Sequence, residues 1–230
     1  MSSTESGEIA ELRRTVTELA DRVRRLEATN EVRQLQFKYG YYLDKCLYQE
    51  VVDLYSEDGE VVFAGGIYRG RAGIERLYLH RFRERFTGGH NGPVRGFLLD
   101  HMIMQDVITI APDGASARAR MRCLMQAGVH ESTPEQASRT QFEQWWEGGL
   151  YENRYVLEDG VWKIRRLGYT PFWHADYDAG WAHTPPLTNI IPKVTFPEDP
   201  LGPDELVDGF EFFPATEVVP FHYPHPVTGV

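Results

Sequence analysis

Over the first thirty residues, apolar side chains recur as Ile9, Leu12, Val16, Leu19, Val23 and Leu26, with Glu and Arg between them. Steps of three and four predict an amphipathic helix. Alternating β-branched and leucine seam positions are the pattern of parallel two-stranded coils. Such a run is too short to be stable alone, so the stripe either lies on its own domain or meets another subunit. Thr29-Asn30 interrupts the register and predicts a cap for a new helix over 31–48, with Leu35, Tyr39, Tyr42, Leu43, Cys46 and Leu47 inward. A short amphipathic piece over 51–55 follows, then a turn and a strand over 60–68 that ends near Gly65-Gly66. A second long helix over 72–86 turns Ile74, Leu77, Tyr78, Phe82 and Phe86 to the core and leaves Arg76, Arg81, Arg83 and Arg85 on a solvated face. The loop from Gly88 to Pro93 is flexible by composition and is expected to act as a gate.

The period then changes to two. Strands are predicted over 98–110 and 115–129, joined by Pro112-Asp113-Gly114, and two more within 149–177, closed by Glu158-Asp159-Gly160. Gly160 suits the left-handed position of a three-residue hairpin loop, which sets Leu157 opposite Val161. That register puts Leu150, Val156, Trp162 and Ile164 on one face and Tyr151, Asn153, Tyr155, Leu157, Val161 and Leu167 on the other. It also sets Glu152 across from Arg166. With apolar groups on both faces, something packs on each side of the sheet. The order predicts an α+β domain: a cone-shaped, curved, mostly antiparallel sheet wrapped by helices. Ten of the 14 prolines follow residue 184, among aromatics that argue against disorder. The expected organisation is an N-terminal amphipathic helix (1–28), a central domain (29–184) and an extended Pro-rich arm (185–230) that packs on its own domain or a neighbour.

The net charge of −10 and pI near 5.3 oppose nucleic acid or an anionic membrane as partner. The polar N-terminus and the lack of a long apolar span are those of a cytoplasmic protein. Cys46 and Cys123 are isolated in apolar sequence, as buried reduced thiols. Asp44 lies within YGYYLDKCLY, where a carboxylate that loses water moves toward the range of a general base; pairing with Lys45 is the alternative. Tyr39 either donates to an oxygen gaining charge or fills the core. His101 shares a strand face with Leu99, Ile103 and Val107. The other histidines have no metal-ligand spacing, and only His174 follows a strand toward the expected pocket mouth. Arg118, Arg120 and Arg122 share a face, where they either contact a neighbouring subunit or bring Arg120 or Arg122 to an oxyanion. No nucleotide, flavin or metal motif is present, which leaves proton transfer without a cofactor.

Three motifs, Lys38-Tyr39…Leu43-Asp44, His101-Met102…Ile108-Thr109-Ile110 and Tyr151…Asp159-Gly160-Val161-Trp162-Lys163-Ile164…Gly168-Tyr169, resemble in order and spacing those of the nuclear transport factor 2-like superfamily, in its SnoaL-like branch. The similarity includes bile acid 7α-dehydratases and sphingomonad diarylpropane lyases. It implies pocket roles for Tyr39, Asp44 and His101. Met125 stands where the dehydratase has an acid, and Pro171 where it has an arginine. The resemblance implies a cofactor-independent lyase for a bulky hydroxylated aromatic, with deformylation of a lignin-derived diarylpropane to a stilbene as the leading expectation. Dehydration or isomerisation of a steroid-like substrate, or non-catalytic binding, are the alternatives. The candidate catalytic residues are Asp44, His101, Tyr39 and Arg120; the candidate substrate contacts are Lys45, Trp146, Tyr151, Tyr169, Phe172 and His174, with no metal. A homo-oligomer is expected: three subunits by resemblance to the dehydratases, two by the heptads.

Overall fold

The computed structural model describes residues 3–137, 139–140 and 142–229. Helix α1 (Ser3–Asp44) is continuous for 42 residues, so the expected break at Thr29-Asn30 does not occur. The Thr29 hydroxyl donates to the Arg25 carbonyl one turn back rather than capping a new helix. Its two halves differ in environment. Leu12 and Leu26 are 64% and 70% exposed, so the N-terminal stripe does not lie on its own domain. Val32, Leu35, Gln36, Tyr39 and Leu43 are buried against the sheet. Gln36 accepts from Asn153 (2.9 Å) and Tyr155 (2.8 Å), a buried network that fixes the helix on the strands.

After α2 (Tyr48–Val52) come β1 (Tyr55–Phe63) and β2 (Gly66–Arg69), a hairpin turned at Ala64-Gly65 where a single strand is expected from the sequence. Helix α3 (Gly70–Glu75) runs through a π-helical stretch (Arg76–Phe82) into α4 (Arg83–Thr87). Arg76 is buried there, and Arg81, Arg83 and Arg85 are half-buried, so the expected solvated arginine face is not found. The loop after α4 is tied down: Gly92 N–H donates to the Cys46 carbonyl and Asn91 bonds Gln49 and Glu50.

Strands β3 (Phe97–Ile110), β4 (Ser116–Val129), β5 (Gln144–Glu158) and β6 (Val161–Asp176) form the antiparallel meander, with α5 (Pro134–Ala137) between β4 and β5. The sheet order is β3-β4-β5-β6-β1-β2-β7, with β1 parallel to β6. The β5–β6 turn is Asp159-Gly160, both at positive φ, with Glu158 opposite Val161. A two-residue loop of this kind suits Asp-Gly and moves the register by one from the expected pairing. Trp162 and Ile164 therefore share the inner face with Leu157 and Tyr155. Glu152 meets Arg120 on β4, and Arg166 bonds Glu60.

The Pro-rich arm packs on its own domain. Past α6 (Gly180–His183), it supplies β7 (Glu205–Leu206) to the edge of β2. Asp204 pairs with buried Arg76 at 2.6 Å, and the carbonyls of Val219 and Pro220 accept from Arg120. The core lies between the concave face of the sheet, the second half of α1 and the α3–α4 helix.

Candidate active site

Helix α1 ends where it touches β3. Gly40 faces β3 here, and a Cβ there would come within 2.8 Å of the Ile103 Cδ1 methyl, the flexible end of that side chain. One turn later Asp44 closes the helix. A carboxylate at a helix C-terminus opposes the macrodipole; here two donors stabilise it. Its Oδ1 accepts from the His101 backbone N–H at 2.8 Å and from His101 Nδ1 at 2.8 Å. The bond to Nδ1 holds the ring orientation and leaves Nε2 for the pocket, which His101 lines. Asp44 is not itself a pocket wall. Asp44 thus stands behind His101, one hydrogen bond back from the pocket.

Cross-strand pairing sets the rest. His101 on β3 is opposite Met125 on β4, Met125 opposite Glu147 on β5, and Glu147 opposite His174 on β6. This row of four crosses the pocket wall. A bulge explains its last member: Gly149 pairs with Pro171 but Gly148 with Trp173, so Phe172 is the extra residue. The inserted residue reverses the alternation, turning His174 inward and Trp173 outward against Trp181.

Glu147, missed in the sequence reading, is 6% exposed and accepts a 2.7 Å hydrogen bond from the Tyr169 hydroxyl. Burial raises its pKa, offset in part by that bond and by the charge on His101. Gly149 leaves the room for Tyr169 to reach it: a Cβ at Gly149 would sit 2.6 Å from the Tyr169 hydroxyl. Burial and the neighbouring carboxylate hold Tyr169 well above the usual phenol pKa, so it is a donor. The Tyr78 hydroxyl bonds those of Tyr39 (3.0 Å) and Tyr55 (3.1 Å). Burial raises the Tyr78 pKa to about 12. Tyr151 packs on Tyr169 with centroids 4.6 Å apart. Cys123 is buried and free, its thiol pushed up to about 12 by burial. Arg81 and Arg85 line the pocket from the α3–α4 side.

Of the expected residues, His101, Tyr39, Tyr151, Tyr169 and His174 meet at this pocket, with Asp44 behind His101. Four do not reach it. Arg120 is on the opposite face of β4, buried under the arm with Glu152 and the Phe221 ring; residues 117, 119, 121, 123 and 125 take the inner face. Lys45 is exposed, just beyond the helix end. Trp146 points outward and stacks on Tyr177. Phe172 is the bulge residue, its carbonyl bound by Phe213 N–H from the arm. The signal for Glu147 was its place two residues before the Gly149 strand, on the same face as Tyr151 and Tyr155. Among the described residues no three side chains are grouped to hold a metal ion, and no helix is long and apolar enough to cross a membrane.

Residues 24–168 match the model of the SnoaL-like domain family. No curated protein matches the chain. Among solved structures it is similar to a candidate scytalone dehydratase of Novosphingobium aromaticivorans DSM 12444, with 20% identity, TM-score 0.53, and coverage of 67% of this chain and 90% of that one. It is also similar to LinA (15%, TM-score 0.54, 72% and 98%). A third is the hexachlorocyclohexane dehydrochlorinase LinA-type3 of Novosphingobium barchaimii LL02 (16%, TM-score 0.52, 66% and 92%). At these identities the likeness is one of fold.

Proposed function

We propose, for a chain that belongs to the SnoaL-like domain family, a cofactor-independent lyase that acts by acid–base chemistry on a bulky, hydroxylated aromatic substrate. The observation that carries this reading is the Asp44–His101 pair at an aromatic-lined pocket, with the buried acid Glu147 two strands away. An Asp and a His set in apolar surroundings cost stability, which argues for use rather than for passive binding. The dehydratase and dehydrochlorinase among the similar structures are named for eliminations of the same general type.

The substrate we favour is a lignin-type diarylpropane with a benzylic and a terminal hydroxyl and a para-phenol. The phenol loses its proton to solvent. Glu147, favoured in its protonated form by burial, gives its proton to the benzylic hydroxyl, which leaves as water while the ring becomes a quinone methide. His101 Nε2 takes the terminal hydroxyl proton. The adjacent C–C bond breaks, formaldehyde departs, and the electron pair returns the quinone methide to a stilbene phenolate. Solvent protonates the phenolate, and His101 returns its proton to Glu147. Each positioned acid or base supplies about 10²–10⁴-fold. The same reading includes self-association through the exposed heptad stripe of α1, with a second copy as the partner.

The test is incubation of purified protein with a panel of such dimers, reading formaldehyde and stilbene absorbance. Equal release of both supports deformylation. Loss of water alone makes the enzyme a dehydratase, and no turnover of any member overturns the lyase reading.

A further inference from the structure

Arg81 and Arg85 are four residues apart, on one side of the α3–α4 helix, and both line the pocket. Their partners are unlike those of seven other arginines. Arg33, Arg69, Arg71, Arg76, Arg120, Arg165 and Arg166 each bind a carboxylate. Arg81 instead donates to neutral oxygens, the Tyr68 hydroxyl at 2.6 Å and the Ile190 carbonyl at 3.1 Å. Arg85 has no carboxylate partner among the described residues, and its buried Nε has no acceptor. Its Cζ lies 5.8 Å from the Phe86 ring centroid. Burial and the charge of Arg81 lower the Arg85 pKa, yet a guanidinium remains charged at neutral pH. Beside it, His174 is held neutral, its pKa lowered to about 4 by burial and by Arg85, with a buried Nδ1 that has no partner. This end of the cavity thus carries two half-buried guanidinium groups, neither with a carboxylate partner among the described residues.

We propose that this end of the pocket binds a carboxylate carried by the aromatic substrate, with Arg85 as its principal partner and His174 beside it. A carboxylate fits better than a phenol for two reasons. It is ionised at neutral pH without cost, whereas a phenol, with an ordinary pKa of about 10, is not. Its two oxygens also match the planar fork of the guanidinium. The site shares the pocket of the proposed reaction and so rests on that reading for its catalytic meaning; binding can be measured without turnover.

The probes are biphenyl-4-carboxylate, its neutral isostere biphenyl-4-carboxamide and 4-phenylphenol, titrated calorimetrically at pH 7 into the full-length protein and into R85Q and R85K. The wild type is expected to bind the carboxylate about 10- to 100-fold more tightly than the amide, the range of a charge-assisted pair. R85Q should abolish that preference while the amide affinity stays within a few-fold. R85K, with charge but no fork, should retain part of it; thermal melts verify that each variant is folded. Should R85Q fail to fold, the R85K titration decides: an undiminished carboxylate preference rejects Arg85 as the partner. Equal binding of acid and amide by the wild type overturns the proposal, and so does 4-phenylphenol binding as tightly as the carboxylate. If the preference is present and depends on Arg85 but diarylpropanes are not turned over, the anion site stands and the lyase reading falls.

Discussion

Gly149 controls the pocket through what it omits. A methyl group there would fall within 2.6 Å of the Tyr169 hydroxyl and push that ring from Glu147, with no backbone strain to confuse the result. G149A is therefore expected to fold and to lose about 10²-fold or more in kcat, similar to Glu147→Gln; kcat near wild type in steady-state assays would show that the Tyr169–Glu147 bond is not used. His174 makes a separate prediction about pH. Its pKa falls from 6.5 to about 4 on folding, so its contribution to stability is complete above pH 6.5 and is lost as the pH falls toward 4. The span is about 3 kcal/mol. Urea unfolding of wild type and H174Q from pH 4 to 7 checks it: the advantage of the wild type should shrink toward low pH. Glu147, with a raised pKa, acts in the opposite sense in both proteins and cancels in the comparison.

At the scale of elements, the arm and the long helix carry distinct predictions. Asp204 neutralises buried Arg76 and accepts from Arg69 N–H. D204A leaves that cation without its counter-ion and is expected to cost about 3 kcal/mol in chemical denaturation. A loss of less than about 1 kcal/mol would show the arm to be only loosely held. In α1, Leu12 and Leu19 are uncovered. L12E/L19E should leave the melting temperature unchanged at concentrations where the protein is a monomer, and lower its mass in analytical ultracentrifugation at higher ones. An unchanged mass would remove the stripe from the subunit contact. Most elements were legible in the sequence because periodicity reports burial on a regular helix or strand; the β1–β2 hairpin, expected as a single strand, was not. Register was not. The choice of a two-residue Asp159-Gly160 turn, and the bulge at Phe172, are decided by tertiary pairing, and each shifts every following side chain to the other face. Two further features were decided locally: Arg120 falls on the outward face of β4 and does not reach the pocket, and the Thr29 hydroxyl bonds back to Arg25 instead of capping a new helix.

Across the whole molecule, the proposed chemistry depends on α1 meeting β3, and on four strands bringing His101, Met125, Glu147 and His174 into one row. Asp44 and His101 were legible through motif order, since each stands in a short stretch shared with a family. Glu147 was not, because its acidity is supplied one strand away from the place that the resemblance marks with Met125. Arg85 was hidden among arginines of a helix whose π-helical turn changes which of them face inward. The most direct test of the central claim is the turnover of D44N, H101Q and the double variant on a diarylpropane, each checked for folding. If Asp44 works by holding His101, each single change lowers kcat by about 10²–10⁴-fold, and D44N/H101Q is no slower than H101Q alone. Near-wild-type turnover by D44N, or losses that multiply in the double variant, would contradict the account.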